Sequence, residues 1–480
     1  MVLLALILAP ALAAGLAYLI RPQTRGALLI GTATLHSVLV ALLWATPGDR
    51  ALSGWLADDA LGRVILTLVS ILFLAVAHYA VGYLRDENPR GGRAFVTCLL
   101  AFLSAATLVT LSHHLALMWI GMETTTLAVA PLIFHRHDRR SLEAVWKYLV
   151  LSSVGIAFAL LGVFLLATAQ PSGDAGGRPL VLEDMIAHAA MLDPVWLRTA
   201  FVFILIGFGT KMGVAPMHSW KPDTYGEAPS LVSGLMSGAL TSCAFLGLAR
   251  VAAICFAAGA GSFIRPPLIG LGLCSLIIAA AFIIGQGDIK RLLAYSSVEH
   301  MGLLMIGLGV GGVGAYGAVL HALNNGLAKG LMFLAVGNVV LATGTSTAEA
   351  VRGLLRRTPA SAVLLIVGLF AVTGSPPFGM FISEFTILSG AIGEHYPWVA
   401  ATVIGLLAVI FVGIAAMILE MVYGAPVADP APGPRTGERN WLVVAPAALA
   451  VLVLLLGLYL PPALGAALSS AATTLGGRAP

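Results

Sequence analysis

Gly209-Thr210-Lys211-Met212-Gly213-Val214-Ala215-Pro216 interrupts an apolar run that extends over residues 199–221. A run of that length crosses a bilayer as a helix, which needs about 20 residues. Lys211 follows Arg198 by thirteen residues, about 20 Å of helix rise, and so lies deep in the run. Pro216 removes a backbone hydrogen bond and frees a carbonyl. At membrane depth such a break is tolerated only where protein or water surrounds it, and a charge there costs roughly 2.5–3.5 kcal/mol or more. A second run, residues 360–390, breaks in the same manner at Gly374-Ser375-Pro376-Pro377-Phe378-Gly379, with Glu384 just beyond. Paired interrupted helices in two halves of a chain point to a transport site built from inverted repeats.

The rest of the chain agrees. It has 480 residues, 59% hydrophobic and only 10% charged, against about 25% charged in soluble domains. Apolar runs fall at 2–20, 27–46, 64–83, 94–112, 115–134, 144–169, 199–221, 231–258, 267–287, 295–312, 315–342, 360–390, 398–423 and 441–465. The spacing predicts an all-α polytopic membrane protein of about 14 transmembrane helices, with broken helices 7 and 12, and excludes a barrel of short alternating strands. The first run lacks a basic n-region and a clear cleavage site, so it reads as a retained helix. Cys98, Cys243, Cys255 and Cys274 show no C-x-x-C spacing. An iron–sulfur cluster, a structural zinc site or any other cofactor or metal is therefore not expected.

Basic residues alternate between loops. Arg21 and Arg25, Arg85, Arg90 and Arg93, Arg136, Arg139 and Arg140, Lys221, Lys290 and Arg291, Arg352, Arg356 and Arg357, and Arg435 and Arg439 follow odd-numbered spans. The even loops hold mainly Arg50, Arg63, Arg178, Arg198 and Arg265. The positive-inside rule then places the odd loops in the cytoplasm and both termini outside. The expected divisions are 1–93 (helices 1–3), 94–258 (first repeat), 259–423 (second repeat) and 424–480 (a Pro-rich linker and helix 14). The portion 180–192 of the longest polar stretch has helical apolar spacing and is expected to lie along the surface.

Glu123 sits in Leu115-Ala116-Leu117-Met118-Trp119-Ile120-Gly121-Met122-Glu123, far from any loop. A movable Glu–Lys pair of Glu123 and Lys211 is a device for loading and releasing a proton; a static ion pair is the plainer role. His321, Asn325 and Lys329, spaced i, i+4, i+8, lie within about 80° on one helix face and can hold protons and water in a row, or join helices by polar packing. Glu384 is the candidate exit group. His218 is read either as a relay or as an interfacial anchor, with Trp220 and Asp223 at the interface. The 135–140 tract and His113-His114 read as solvated loop residues.

The segment Lys211 to Asp223, followed by Glu227-Ala228-Pro229-Ser230 and Ser233, resembles the signature of the proton-conducting, Mrp-antiporter-like membrane subunits. Asp288 to Ser297, His321 to Lys329 and Gly374 to Phe378 extend the resemblance over most of the chain. Residues 141–148 and Ser383-Glu384-Phe385 are most similar to the F component of hydrogenase-4. The resemblance implies fourteen helices with outward termini. It also implies Glu123 and Lys211 as the fifth- and seventh-helix pair, His321 and Lys329 as the central relay and Glu384 as the terminal group. Where several relatives carry a lysine or histidine in the eighth helix this chain has Ser237, Ser242 and Cys243, so water held by Ser237 and Ser242 would bridge.

The expected function is a proton-translocating membrane subunit of a redox-driven complex, related to group 4 hydrogenases or complex I, in a bacterial or archaeal inner membrane. Its expected partners are further antiporter-like subunits, a peripheral redox module and lipid, with no nucleic acid. A cation/proton antiporter subunit of an Mrp-like assembly and a non-conducting scaffold are the alternatives.

Overall fold

The computed structural model describes residues 1–87, 92–171, 179–425 and 438–480. Arg90, Arg178 and Arg435, and most of the Pro-rich linker, lie outside them. Among the described residues thirteen helices are long and apolar enough to cross a membrane. The twelfth apolar run forms two shorter helices instead, Pro359–Val372 and Gly379–Gly393, each too short to cross alone. With that broken span the count reaches fourteen, and the chain is an all-α polytopic membrane protein.

Burial sorts the spans. Along the most apolar 18 residues of each, 94% of positions are buried in the eighth (Ser230–Ala257) and tenth (Ile289–Val310), against 28% in the thirteenth (Pro397–Tyr423). The eighth and tenth therefore form the interior of the bundle, and the thirteenth faces outward. The eleventh, Val313–Thr343, is 31 residues long and carries His321, Asn324, Asn325, Lys329 and Asn338, all buried. It packs against the third, tenth and fourteenth spans and both pieces of the twelfth. The last expected run divides at Tyr459–Pro461 into Asn440–Leu458 and a further helix, Pro462–Thr474. Within the 180–192 portion a short helix, Leu182–Ala187, forms as its spacing suggested, burying Leu182 and Met185.

The seventh span starts at Asp193, whose carboxylate accepts from Val195 N and Trp196 N at 2.8 and 3.1 Å, with Pro194 at the first helical position. It ends at Gly213, with φ +69°. That backbone conformation favours glycine, and a Cβ there would also sit 2.5 Å from the Lys221 side chain. The chain then runs irregularly to a short helix, Trp220–Glu227, before the eighth span begins. Backbone groups freed at the break find partners: Trp220 Nε1 donates to Thr210 O at 2.8 Å, and Ser275 Oγ accepts from Ala215 N at 2.9 Å. Trp220 is thus fully buried, not interfacial, because it closes the break from within.

At the other break Gly374 has φ +62° and lies against the Glu384 carboxyl, leaving no room for a Cβ. Asn324 Nδ2 donates to Gly379 O at 2.8 Å and ties the second piece of the span to the eleventh.

Candidate functional site

The buried polar residues fall into two clusters with a link between them. In the first, Ser153 Oγ and Thr126 Oγ1 donate to the two Glu123 carboxylate oxygens at 3.2 and 3.1 Å. Lys211 Nζ donates to Thr126 Oγ1 at 2.6 Å and to Tyr148 OH at 3.2 Å, and it lies 5.0 Å from the Tyr148 ring centroid. Lys211 is fully buried and Glu123 half-buried. The expected pair is therefore assembled, but through the Thr126 hydroxyl and not by direct contact.

The second cluster spans the tenth to twelfth helices. His321 Nδ1 is 3.0 Å from Ser383 Oγ, and His321 Nε2 is 3.2 Å from His300 Nδ1. Glu299, also buried, accepts from Ser296 Oγ at 3.2 Å. Lys329 Nζ makes one long contact, 3.5 Å to Leu293 O, and lies near enough to Glu299 for their charges to interact. Glu384 Oε1, His300 Nε2 and both amide atoms of Asn325 are buried without a hydrogen-bond partner. His321, Asn325 and Lys329 share a face, as the spacing implies, yet each has a different environment.

Between the clusters lies Lys221. Its place among the loop charges is corrected by the fold: it is fully buried, because the chain folds back after the seventh-span break. Its Nζ donates to Ser297 Oγ at 3.1 Å and to Ser297 O at 3.4 Å, and Ser237 Oγ is 3.1 Å from the same Ser297 hydroxyl. Ser237 sits on a five-residue π-turn, Met236–Leu240, in the eighth span. Ser242 instead donates to Gly238 O at 2.7 Å, satisfied by its own helix. Lys290 is likewise no loop charge: it is buried and donates to Gly226 O and Ala228 O, both at 2.6 Å.

His218 joins neither cluster; its Nδ1 has no partner, and its ring centroid is 6.3 Å from that of Tyr295. Asp223 is partly exposed and accepts from Lys147 Nζ at 2.7 Å and from the Arg291 guanidinium. It lines a cavity of about 310 Å³ with Arg136, Arg140, Glu227, Asp288 and Arg291. His113 is buried, contrary to a solvated loop position, with Nε2 3.2 Å from Asp59 Oδ1. Arg250, an arginine inside the eighth span, donates to Asp59 at 2.6 Å and to the carbonyls of Val109, Thr110 and Ser112 at 2.7–3.1 Å. Burial alone would raise the Asp59 pKa, but Arg250 and His113 outweigh it and hold the carboxyl below the ordinary range.

Lys221, Arg250, Glu299 and His300 were not among the sequence candidates. Three of them satisfied the same test as Lys211, a titratable or charged residue within an apolar run. Lys221 sat at the end of such a run and gave no such signal.

Interrupted helices flanking buried lysines, a glutamate joined to one of them by a hydroxyl and a histidine pair under the second break define an antiporter-like membrane subunit. Residues 112–411 match the family model described as "NADH:quinone oxidoreductase/Mrp antiporter, TM". The chain is 32% identical over 415 residues to the hydrogenase-4 component F homolog of Methylacidiphilum infernorum, covering 84% of this chain and 85% of that one. It is 30% identical over 459 residues to NADH-quinone oxidoreductase subunit N of Desulforudis audaxviator, covering 91% and 89%. A chain of the membrane-bound sulfane sulfur reductase, an archaeal respiratory membrane complex, superposes with TM-score 0.86 at 22% identity, covering 99% and 97%. The chain belongs to the NADH:quinone oxidoreductase/Mrp antiporter membrane family.

Proposed function

We propose that this chain translocates protons as a membrane subunit of a redox-driven complex of the hydrogenase-4 or complex I kind. The observation that carries the reading is Lys211, a fully buried lysine held by two hydroxyls, with its carboxylate one hydroxyl away. A lysine so placed changes protonation as the charge on Glu123 changes. A proton taken up from the cytoplasm loads Lys211, crosses by Lys221, Ser297 and Ser237, reaches Lys329, Glu299 and the His300–His321 pair, and leaves near Glu384. His218 lies aside from this route, and Asn325 offers its unpartnered amide to water along it.

The two repeats, 94–258 and 259–423, each contribute one break and one cluster. The loop charges orient both termini outward in a prokaryotic inner membrane. Further antiporter-like subunits and a peripheral redox module are the partners, because the chain has no cluster-binding or flavin motif. Lys221 weighs against a non-conducting scaffold, since it fills the place beside Ser237 that the eighth span leaves without a carrier. An Mrp-like antiporter role fits less well, as the relatives at 30% identity or more described above are named for redox complexes. Reconstituting the complex and measuring turnover-linked proton uptake in Lys211→Ala tests the assignment. Uptake is expected to fall by about 10²-fold or more; unchanged pumping overturns it.

A further inference from the structure

His300, His321 and Glu384 come from three different spans, and one ligand-type atom from each lies within 4.8 Å of the others. The facing ring nitrogens, His300 Nδ1 and His321 Nε2, are 3.2 Å apart. Ligands on a tetrahedral ion with bonds of about 2.0–2.1 Å stand roughly 3.3 Å from one another, so the pair already has the required spacing. His321 is also oriented as a ligand. Ser383 Oγ donates to Met380 O at 2.8 Å and is left to accept from His321 Nδ1–H at 3.0 Å, which leaves the Nε2 lone pair facing His300. A hydrogen bond to the outer ring nitrogen is what fixes the tautomer of metal-binding histidines.

The remaining atoms are under-satisfied. Glu384 Oε1 and His300 Nε2 are buried with no hydrogen-bond partner, as are both amide atoms of Asn325, one helical turn from His321. Buried polar atoms without partners are rare in native proteins, and the Glu384 oxygen belongs to the same three-residue group as the facing histidines. Two imidazoles and a carboxylate form the donor set of three-ligand zinc sites that keep a fourth position for water. Calcium and magnesium fit poorly, since they require six or more oxygen ligands.

We propose that His300, His321 and Glu384 bind a d-block divalent cation of the Zn²⁺ class, and that the bound ion blocks proton transfer through this cluster. On binding, the proton between the ring nitrogens moves to His300 Nε2, and Glu384 releases any proton it holds. Two neutral imidazoles and one carboxylate leave one positive charge. Glu299, adjacent to His300 and close enough to act on Glu384, supplies an opposing charge that it shares with Lys329. With both inner lone pairs engaged, the rings no longer exchange a proton, and the second piece of the twelfth span is fixed to the tenth and eleventh. The blocking effect rests on the proton-path reading; the binding site does not.

The test is calorimetric titration of the purified complex with ZnCl₂, with Co²⁺ absorption as a geometric probe and size exclusion to verify that each variant assembles. The wild type is expected to bind one more Zn²⁺ per chain than His300→Ala or Glu384→Gln. His300→Cys is expected to restore that ion, with a thiolate-to-Co²⁺ band absent from the wild type. Ser383→Ala is expected to keep the stoichiometry but weaken affinity by about 10–100-fold. Equal Zn²⁺ counts in wild type and His300→Ala, or an assembled His300→Cys complex with no thiolate band, overturn the site. Zn²⁺ bound at this site with proton uptake in vesicles unchanged overturns the blocking effect and counts against the proton path, while the site stands.

Discussion

The two clusters are built to different standards of completeness. Around Lys211 the polar groups are paired: the lysine has two hydroxyl partners, Glu123 has one hydroxyl on each oxygen, and the break beside them is closed by Trp220 and Ser275. Around His321 the histidine pair is joined, but the Glu384, His300 and Asn325 atoms named above lack partners, and Lys329 has a single long contact. An unpaired buried polar group costs about 1–3 kcal/mol, so the second cluster is the less self-sufficient of the two. Of the two breaks, one lies beside a closely hydrogen-bonded group and the other beside buried polar atoms that lack protein partners.

The contrast can be broken at several points. The largest effect is expected at Arg250, which anchors the first half by holding Asp59 and three carbonyls. Arg250→Ala removes the guanidinium from the Asp59 carboxylate and three carbonyls and should cost about 3–5 kcal/mol, read as a lower melting temperature of the purified complex. If melting is unaffected, the first half is not the more tightly ordered one. The same contact has a pH signature. Asp59 titrates lower folded than unfolded, so its stabilisation is present above the unfolded carboxylate pKa and is lost as pH falls through the folded value. Asp59→Asn should therefore lower the melting temperature at neutral pH and converge with wild type in acid.

Next comes the link. Lys221→Met keeps most of the side-chain volume but removes the donor to Ser297, and turnover-linked proton uptake should fall by about 10²-fold if Lys221 carries protons between the clusters. A wild-type rate would show that they work independently. Smaller still is the contrast between two serines of one helix. Ser237→Ala deletes one hydrogen bond to Ser297 and should slow uptake by about 2–10-fold, the kinetic equivalent of roughly 0.5–1.5 kcal/mol. Ser242→Ala should change nothing measurable, because its hydroxyl serves only its own helix. Equal effects from the two would remove Ser297 from the route.

The sequence made Glu123, Lys211, His321, Lys329 and Glu384 legible because ionisable residues are expensive in apolar runs and therefore conspicuous. Glu299 and His300 are equally conspicuous on that criterion, within the run 295–312. Lys221 was not conspicuous. It lies among Ser219, Pro222 and Asp223, a composition that marks a loop, and only the fold-back that seats Trp220 against Thr210 O carries it inward. Arg250 shows the converse, an intramembrane charge whose visible task is to hold backbone carbonyls. The spans themselves were plain from apolar length, except where Pro461 divides the last run into two helices.

Thr126 gives the first cluster a property that a direct ion pair lacks. Its hydroxyl has one hydrogen and stands between Glu123 and Lys211. While the carboxylate is ionised the hydrogen points to it, and the oxygen's lone pairs face the ammonium. Once the lysine is neutral and the carboxyl protonated, the same hydrogen can rotate to the amine. The hydroxyl is then a two-position rotor whose setting records which of the two groups holds the proton, a single-bit memory that a direct ion pair could not keep.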